Sequence, residues 1–139
     1  MLKLKLDLHT HCFEHPGHHQ VNRETVARIV QCIQAKGLDG IAITEHEDKS
    51  YGFRVKELVE QFFPGQAIIV PGWELGVWPK QIIELFLPDG VTFRFLPHPS
   101  YPEEYVQEIP DLHGIELENP LHSWYINRRK VREIAQEYN

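Results

Sequence analysis

The sequence predicts an α/β domain with a parallel sheet. Strict alternation in "LKLKLDLHTH" (2–11) places leucines on one face and polar residues on the other, which is typical of a β-strand. Short apolar runs in "DGIAITEH" (39–46) and "QAIIVPGWEL" (66–75) predict two more strands. The stretches between them, 22–37 and 51–63, have apolar residues at helical spacing. Strand, helix, strand, helix, strand is the order of a parallel α/β sheet.

Capping and turn residues set the boundaries of the elements. Asn22 is a helix-capping residue, Gly37 is a typical helix end, and Pro64-Gly65 ends the second helix. Four further elements are predicted, namely strands over 81–88, 91–99 and 113–119 and a helix over 123–139. Pro88-Asp89-Gly90 is the turn between the first two of these strands. No repeat or linker divides the chain, so we expect a single domain over residues 1–139.

Composition bounds the possible functions. The 139 residues are 42% apolar and 24% charged, and no stretch is long and apolar enough to span a bilayer, so we expect no membrane partner. The start of the chain has no apolar signal core, and Cys12 and Cys32 form no disulfide framework, so we expect a cytoplasmic protein. The net charge of −6 argues against broad nucleic-acid binding, but it allows a phosphorylated substrate where bound cations supply positive charge.

Histidines are concentrated near the start of the chain, where "DLHTHCFEHPGHHQ" (7–20) holds five of the nine. Active-site groups of parallel α/β folds gather at the carboxyl ends of the strands. Five metal-ligand side chains fall at such ends in four different strands: His9, His11, His46, Glu74 and His98. Imidazole and carboxylate groups suit zinc, manganese or iron. The pattern therefore predicts a metal site at one edge of the sheet.

Each candidate also has a structural explanation. A His-x-His pair at a strand end can be incidental, His46 can cap a helix, and His98 can shape the turn before a proline. His15 and His18 fit an exposed polar loop as well as a metal site. His122 is interpreted as a structural or surface residue. The metal site is the preferred interpretation because the strand-end placements coincide.

Five motifs carry a resemblance to a known family. In chain order they are "DLHTH", "ITEH", "PGWELG", "FLPHP" and "GIELEN". Their order and spacing resemble those of the PHP domain, the polymerase and histidinol phosphatase family, over nearly the whole chain. The resemblance implies a distorted (β/α) barrel of seven strands, two or three divalent metal ions (zinc, manganese or iron) and hydrolysis of phosphoesters.

The resemblance also implies roles for the candidate ligands of two of these metals. His9 and His11 look like the pair that holds the first metal. Glu74 looks like the carboxylate that bridges two metals, and His98 is similar to the imidazole ligand of the second. Asn119, at the end of "GIELEN", falls near a position that sometimes supplies a second-metal ligand.

A third metal is implied by the second motif. His46 looks like one of its ligands, although the chain has "TEH" where the family often has Thr-Asp-His. Several family members complete this site with a residue shortly after the first motif. For that role His18 is the first choice here and His15 the second.

One family feature does not occur in this sequence. Family members carry an Asp-x-His motif on a strand after the last helix, and none follows Asn119 here. We therefore expect a barrel that is incomplete or open at its C-terminal end, and fewer metals than usual are compatible with it. The chain would then be a fragment, a reduced variant, or one subunit of a homodimer that covers the open sheet edge.

The predicted function is a metal-dependent phosphoesterase. A metal-activated water would attack a phosphomonoester or phosphodiester, with a phosphorylated small molecule or a nucleotide as substrate. No general acid is assigned, and Arg94 is either a phosphate-binding residue or an outward-facing surface charge. The alternative is a truncated or non-catalytic PHP-like domain that binds metal as a structural or regulatory subunit.

Overall fold

The computed structural model describes residues 3–77, 80–99 and 111–137, and these residues form a mixed α/β structure. The strands are β1 Leu6–Thr10, β2 Gly40–Ile43, β3 Ile68–Val77, β4 Lys80–Phe86, β5 Thr92–Leu96 and β6 Gly114–Ile115. The helices are α1 Arg23–Ala35, α2 Tyr51–Phe62 and α3 Arg128–Glu137, with a short 3-10 turn at Pro88–Gly90. The predicted α/β class is confirmed, whereas a PHP-like barrel stays a prediction.

The chain forms two compact units. Unit 1 contains the described residues up to Trp73 together with Leu85–Val91. Unit 2 contains Glu74–Glu84 and the described residues from Thr92 onward. The single domain expected from the sequence stays a prediction.

Unit 1 is built on parallel strands. β1 pairs with β2, and β2 pairs with β3, both in parallel. Every residue of β2 is buried, as in the central strand of a parallel sheet. α1 and α2 bury one face each against the strands, and the core they form consists of Val26, Ile29, Val30, Ile33, Ile41, Ile43, Tyr51, Val55, Val59 and Ile69. The helical spacing of the apolar residues gives each helix one apolar face, and burial of that face holds the helix on the sheet.

Local signals explain where the unit 1 elements begin and end. The side chain of Asn22 accepts a hydrogen bond from the backbone N–H of Thr25, which confirms the predicted cap of α1. Gly40 is required at the start of β2, because a Cβ there would collide with the carbonyl oxygen of Ile68. β1 begins later than predicted, at Leu6, and Leu4 and Leu8 are exposed.

Unit 2 has a shorter parallel pair. β5 and β6 are parallel, with Phe95 opposite Gly114 and Leu96 opposite Ile115. α3 buries Val131, and it is shorter than the final helix that was predicted over 123–139. No helix among the described residues has the length and apolarity needed to cross a bilayer.

Candidate metal centres

The first candidate centre starts from β1. His9 belongs to this strand and His11 follows it, and the two-residue spacing predicts that both rings point to the same side. Their Nε2 atoms lie 3.2 Å apart, which confirms that orientation. Two ring nitrogens at this distance either share a proton or can bind one cation together.

Two further donor side chains, those of Glu14 and His46, lie near His11 in unit 1. His46 follows β2, and its ring stacks on that of His11 with centroids 4.6 Å apart. The ligand atoms of His11, Glu14 and His46 all lie within 4.8 Å of one another, and we call these three residues the unit 1 cluster. Glu14 was not among the sequence candidates. It lies in the histidine-rich stretch, so its carboxylate could have been considered with the neighbouring rings.

The carboxyl group of Glu45 lies beside His11 of the unit 1 cluster. It is only 2% exposed, and its Oε1 atom accepts hydrogen bonds from the backbone N–H groups of Cys12 and Phe13. Its Oε2 atom lies 3.9 Å from Nδ1 of His11. Burial raises the pKa of Glu45, and the two backbone N–H groups oppose that rise. A carboxylate beside the outer nitrogen of a histidine is the usual arrangement for orienting a metal ligand.

Cys12 lies next to His11, and its thiol has a raised pKa in the metal-free protein. Burial, followed by the charge of Glu45, raises the pKa of its thiol to about 12. The thiol is therefore protonated at neutral pH in the metal-free protein.

His15 and His18 lie together in the same stretch of unit 1. Their ring centroids are 4.7 Å apart, and the Tyr51 hydroxyl donates a hydrogen bond to the His18 carbonyl at 2.8 Å. Burial lowers the pKa of His18, and the nearby His15 adds to the effect. A neutral, buried ring is chemically suited to bind a cation, but the role of either histidine as a third-metal ligand stays a prediction.

The second candidate centre lies in unit 2. Oε1 of Glu74 lies 3.4 Å from Nε2 of His98, and the two residues are 2% and 7% exposed. Glu74 was expected at the end of its strand, but it lies within β3 because that strand continues to Val77. His98 follows the end of β5 at Leu96. The sequence therefore identified both members of this buried pair.

Three further side chains surround His98. The ring of His122 lies 4.3 Å from that of His98 between centroids, and the Tyr125 hydroxyl lies 3.3 Å from Nδ1 of His98. Glu116 accepts a hydrogen bond from the backbone N–H of His98. We call Glu74, His98, Glu116, His122 and Tyr125 the unit 2 cluster. Glu116 directly follows β6, and this strand-end position is the signal that could have identified it, whereas His122 and Tyr125 lie in the turn further along the chain.

Asn119 has a supporting position in unit 2. Its amide nitrogen donates to both carboxylate oxygens of Glu116, at 3.3 and 3.2 Å, and its Oδ1 atom accepts the backbone N–H of Leu121. Both ends of the amide are therefore used in local hydrogen bonds.

The donor chemistry of both clusters fits a divalent transition metal. Each combines imidazole nitrogens with carboxylate oxygens, the ligand set that zinc, manganese and iron accept in proteins. Buried carboxylates and imidazoles are retained where they are paired or bind a cation. No family model matches the chain, and no curated protein matches it in sequence.

Proposed function

We propose that this protein is a metal-dependent phosphoesterase that hydrolyses a phosphomonoester or phosphodiester with a metal-activated water. The buried pair of Glu74 and His98 carries the proposal. Removing a carboxylate and an imidazole from water costs free energy, and a bound cation would offset that cost. The ordered motifs that resemble the PHP family add the expectation of phosphoester chemistry.

The residues of each cluster would have distinct tasks. In unit 1, the donor atoms of His11, Glu14 and His46 would hold one cation, with His9 beside them. In unit 2, Glu74 and His98 would hold another, and the unit 2 cluster adds the imidazole of His122. Divalent cations bound there would lower the pKa of a water molecule and neutralise charge on the phosphoryl oxygens.

Arg94, the candidate phosphate-binding residue, has two acidic neighbours in unit 2. Nε of Arg94 donates to Glu84 at 2.8 Å, and its Nη1 atom lies 3.7 Å from Asp111. The guanidinium charge is thus compensated within unit 2. Charge on the substrate would be met by the bound cations, and a phosphorylated small molecule or a nucleotide is compatible with that arrangement.

A second candidate function is a non-catalytic domain that binds metal as a structural or regulatory subunit. The exposure of Glu14 and His46 favours it, because an exposed cluster can bind a cation without enclosing a substrate. This protein would bind metal and leave phosphoesters intact.

Hydrolysis assays separate the two candidates. We would purify the chain without a histidine tag, load it with manganese, zinc or iron, and assay a phosphomonoester, a phosphodiester and a short oligonucleotide. Phosphoesterase activity that disappears in the Glu74→Gln and His98→Ala variants supports the enzyme. His113→Ala is the matched control, because that ring stacks on Phe93 and lies outside both clusters as defined.

Two outcomes decide against the enzyme. A chain that binds metal without hydrolysing any of the substrates supports the non-catalytic domain. A chain that binds no metal contradicts both candidates.

A further inference from the structure

Both ring nitrogens of His98 have a defined neighbour in unit 2. Nε2 lies 3.4 Å from Oε1 of Glu74, and Nδ1 lies 3.3 Å from the hydroxyl oxygen of Tyr125. The planes of the His98 and Tyr125 rings are nearly perpendicular, at 87°. The Tyr125 hydroxyl is therefore within hydrogen-bond distance of Nδ1.

The backbone of His98 is held in an unusual conformation. Its φ angle is +26°, in a region that residues other than glycine rarely adopt, so surrounding contacts must hold the backbone there. Glu116 supplies one such contact, because its Oε2 atom accepts the backbone N–H of His98. Asn119 donates to both carboxylate oxygens, and the backbone N–H of Glu116 donates to the Leu96 carbonyl at 2.8 Å. Glu116 is thus anchored to the end of β5, two residues before the histidine.

We propose that Glu116 and Tyr125 are positioning residues for His98. Glu116 holds the strained backbone, and Tyr125 fixes the ring so that Nε2 faces Glu74 and a bound cation. The inference rests on one part of the proposed function, namely that a cation binds to His98. It does not depend on phosphoester hydrolysis.

The proton on the ring gives this role a specific signature. A neutral imidazole carries one proton, and a cation bound to Nε2 leaves it on Nδ1. Nδ1–H would then donate to the Tyr125 hydroxyl, which is the outer hydrogen bond that metal-bound histidines usually make. A phenylalanine at 125 keeps the ring and removes this acceptor.

The test measures zinc affinity and the position of the ring proton. Zinc affinity is obtained by competition with a chromophoric chelator, and the proton by nitrogen-15 NMR, with the His98 signals assigned from their absence in His98→Ala. We expect Tyr125→Phe and Glu116→Ala to weaken zinc binding at least about tenfold. Glu116→Gln keeps an acceptor oxygen and should restore most of the affinity. The wild-type zinc form should show a proton on Nδ1 that exchanges faster in Tyr125→Phe.

Two neighbouring variants serve as controls. Glu118→Ala removes an exposed carboxylate that pairs with Arg128 at 3.8 Å, and Trp124→Phe changes an 83% exposed ring that contacts Tyr125. Both should bind zinc within about twofold of wild type, since surface changes of this kind have small effects.

The outcomes separate this inference from the proposed function. Unchanged zinc affinity and an unchanged Nδ1 proton in Tyr125→Phe would overturn the role of Tyr125. Wild-type affinity in Glu116→Ala would overturn that of Glu116. Should that variant not fold, wild-type affinity in a folded Glu116→Asp, whose shorter side chain moves the carboxylate away from the backbone N–H of His98, would do so. Equal zinc affinity in wild type and His98→Ala would instead contradict cation binding at His98, and with it both proposals.

Discussion

The imidazole rings of His11 and His46 stack at a centroid distance of 4.6 Å with 14° between their planes. They follow different strands of unit 1, and the pairing of β1 with β2 brings them together. The backbone N–H of Thr44 donates to the Thr10 carbonyl at 2.9 Å, so the parallel pairing continues past the end of β2 towards His46. The geometry of the unit 1 cluster is thus set by backbone hydrogen bonds.

Replacing Glu45 by glutamine should weaken metal binding by the unit 1 cluster. The variant keeps an acceptor for the N–H groups of Cys12 and Phe13 but loses the negative charge beside Nδ1 of His11. Loss of such a supporting carboxylate typically costs about tenfold in metal affinity. Isothermal titration with zinc measures the change, and an unchanged affinity would show that Glu45 does not orient His11.

Glu45 should also make the stability of the metal-free protein depend on pH. Because burial raises the pKa of Glu45 above its ordinary value of 4.5, the folded state retains the proton at pH values where the unfolded chain has lost it. The stability that this carboxyl contributes is present below pH 4.5 and is lost as the pH rises through the raised pKa. Urea unfolding with a chelator, at about pH 4 and about pH 8, should show wild type losing stability relative to Glu45→Gln. A difference in unfolding free energy between wild type and Glu45→Gln that is the same at both pH values would contradict the raised pKa of Glu45.

The start of α2 should show the opposite pH dependence. Hydrogen bonds from Ser50 and Arg54 hold the pKa of Asp48 below its ordinary value, with the Ser50 hydroxyl bond, 2.6 Å long, as the largest cause. The stabilisation is therefore present above pH 3.8 and is lost as the pH falls through the lowered pKa. Asp48→Asn should cost about 0.5–1 kcal/mol of unfolding free energy at about pH 7, and much less at about pH 2.5.

A surface ion pair on the same helix provides the control for Asp48. Glu60 pairs with Lys56 at 3.2 Å, and both side chains are exposed. Glu60→Gln should cost no more than about 0.5 kcal/mol. Equal losses in the two variants at neutral pH would indicate that Asp48 contributes only as an ordinary surface charge.

Gly40 should tolerate no larger residue. Its register partner is Ile68, whose carbonyl oxygen leaves no room for a Cβ. Gly40→Ala should lower the free energy of unfolding by about 1–3 kcal/mol or more, because the two strands must separate. Gly65→Ala is the matched control, since a Cβ there meets nothing within 4 Å and only the positive φ angle opposes it. A smaller loss at Gly40 than at Gly65 would contradict the close packing of β2 on β3.

Local patterns in the sequence predicted much of unit 1. Asn22 caps α1 as expected, and the turn at Pro88–Gly90 occurs with Asp89 at a positive φ angle. These features depend on residues close together in the chain, so one short stretch contains the signal. The two-residue spacing likewise predicted that the rings of His9 and His11 lie together, because it places both side chains on one side of a strand.

The parts of the candidate sites that sequence reasoning missed depend on long-range packing. Glu45 binds the backbone of residues 12 and 13 only because β1 and β2 pair, and no local pattern identifies that contact. The contact between the rings of His122 and His98 was not predicted, and the interpretation of His122 as a structural or surface residue stays a prediction. The turn after β6 determines this contact, and neither helical nor strand periodicity predicts such a turn.

The most direct test of the central claim is the metal content of each chain. The protein would be purified without chelators or a histidine tag, and zinc, manganese and iron would be measured by elemental analysis in wild type, His46→Ala, His98→Ala and the His113→Ala control. We predict two or more equivalents in wild type, a loss in each of the two cluster variants, and no loss in the control. One equivalent or none in wild type, or a content that neither cluster variant changes, would contradict metal binding by these clusters.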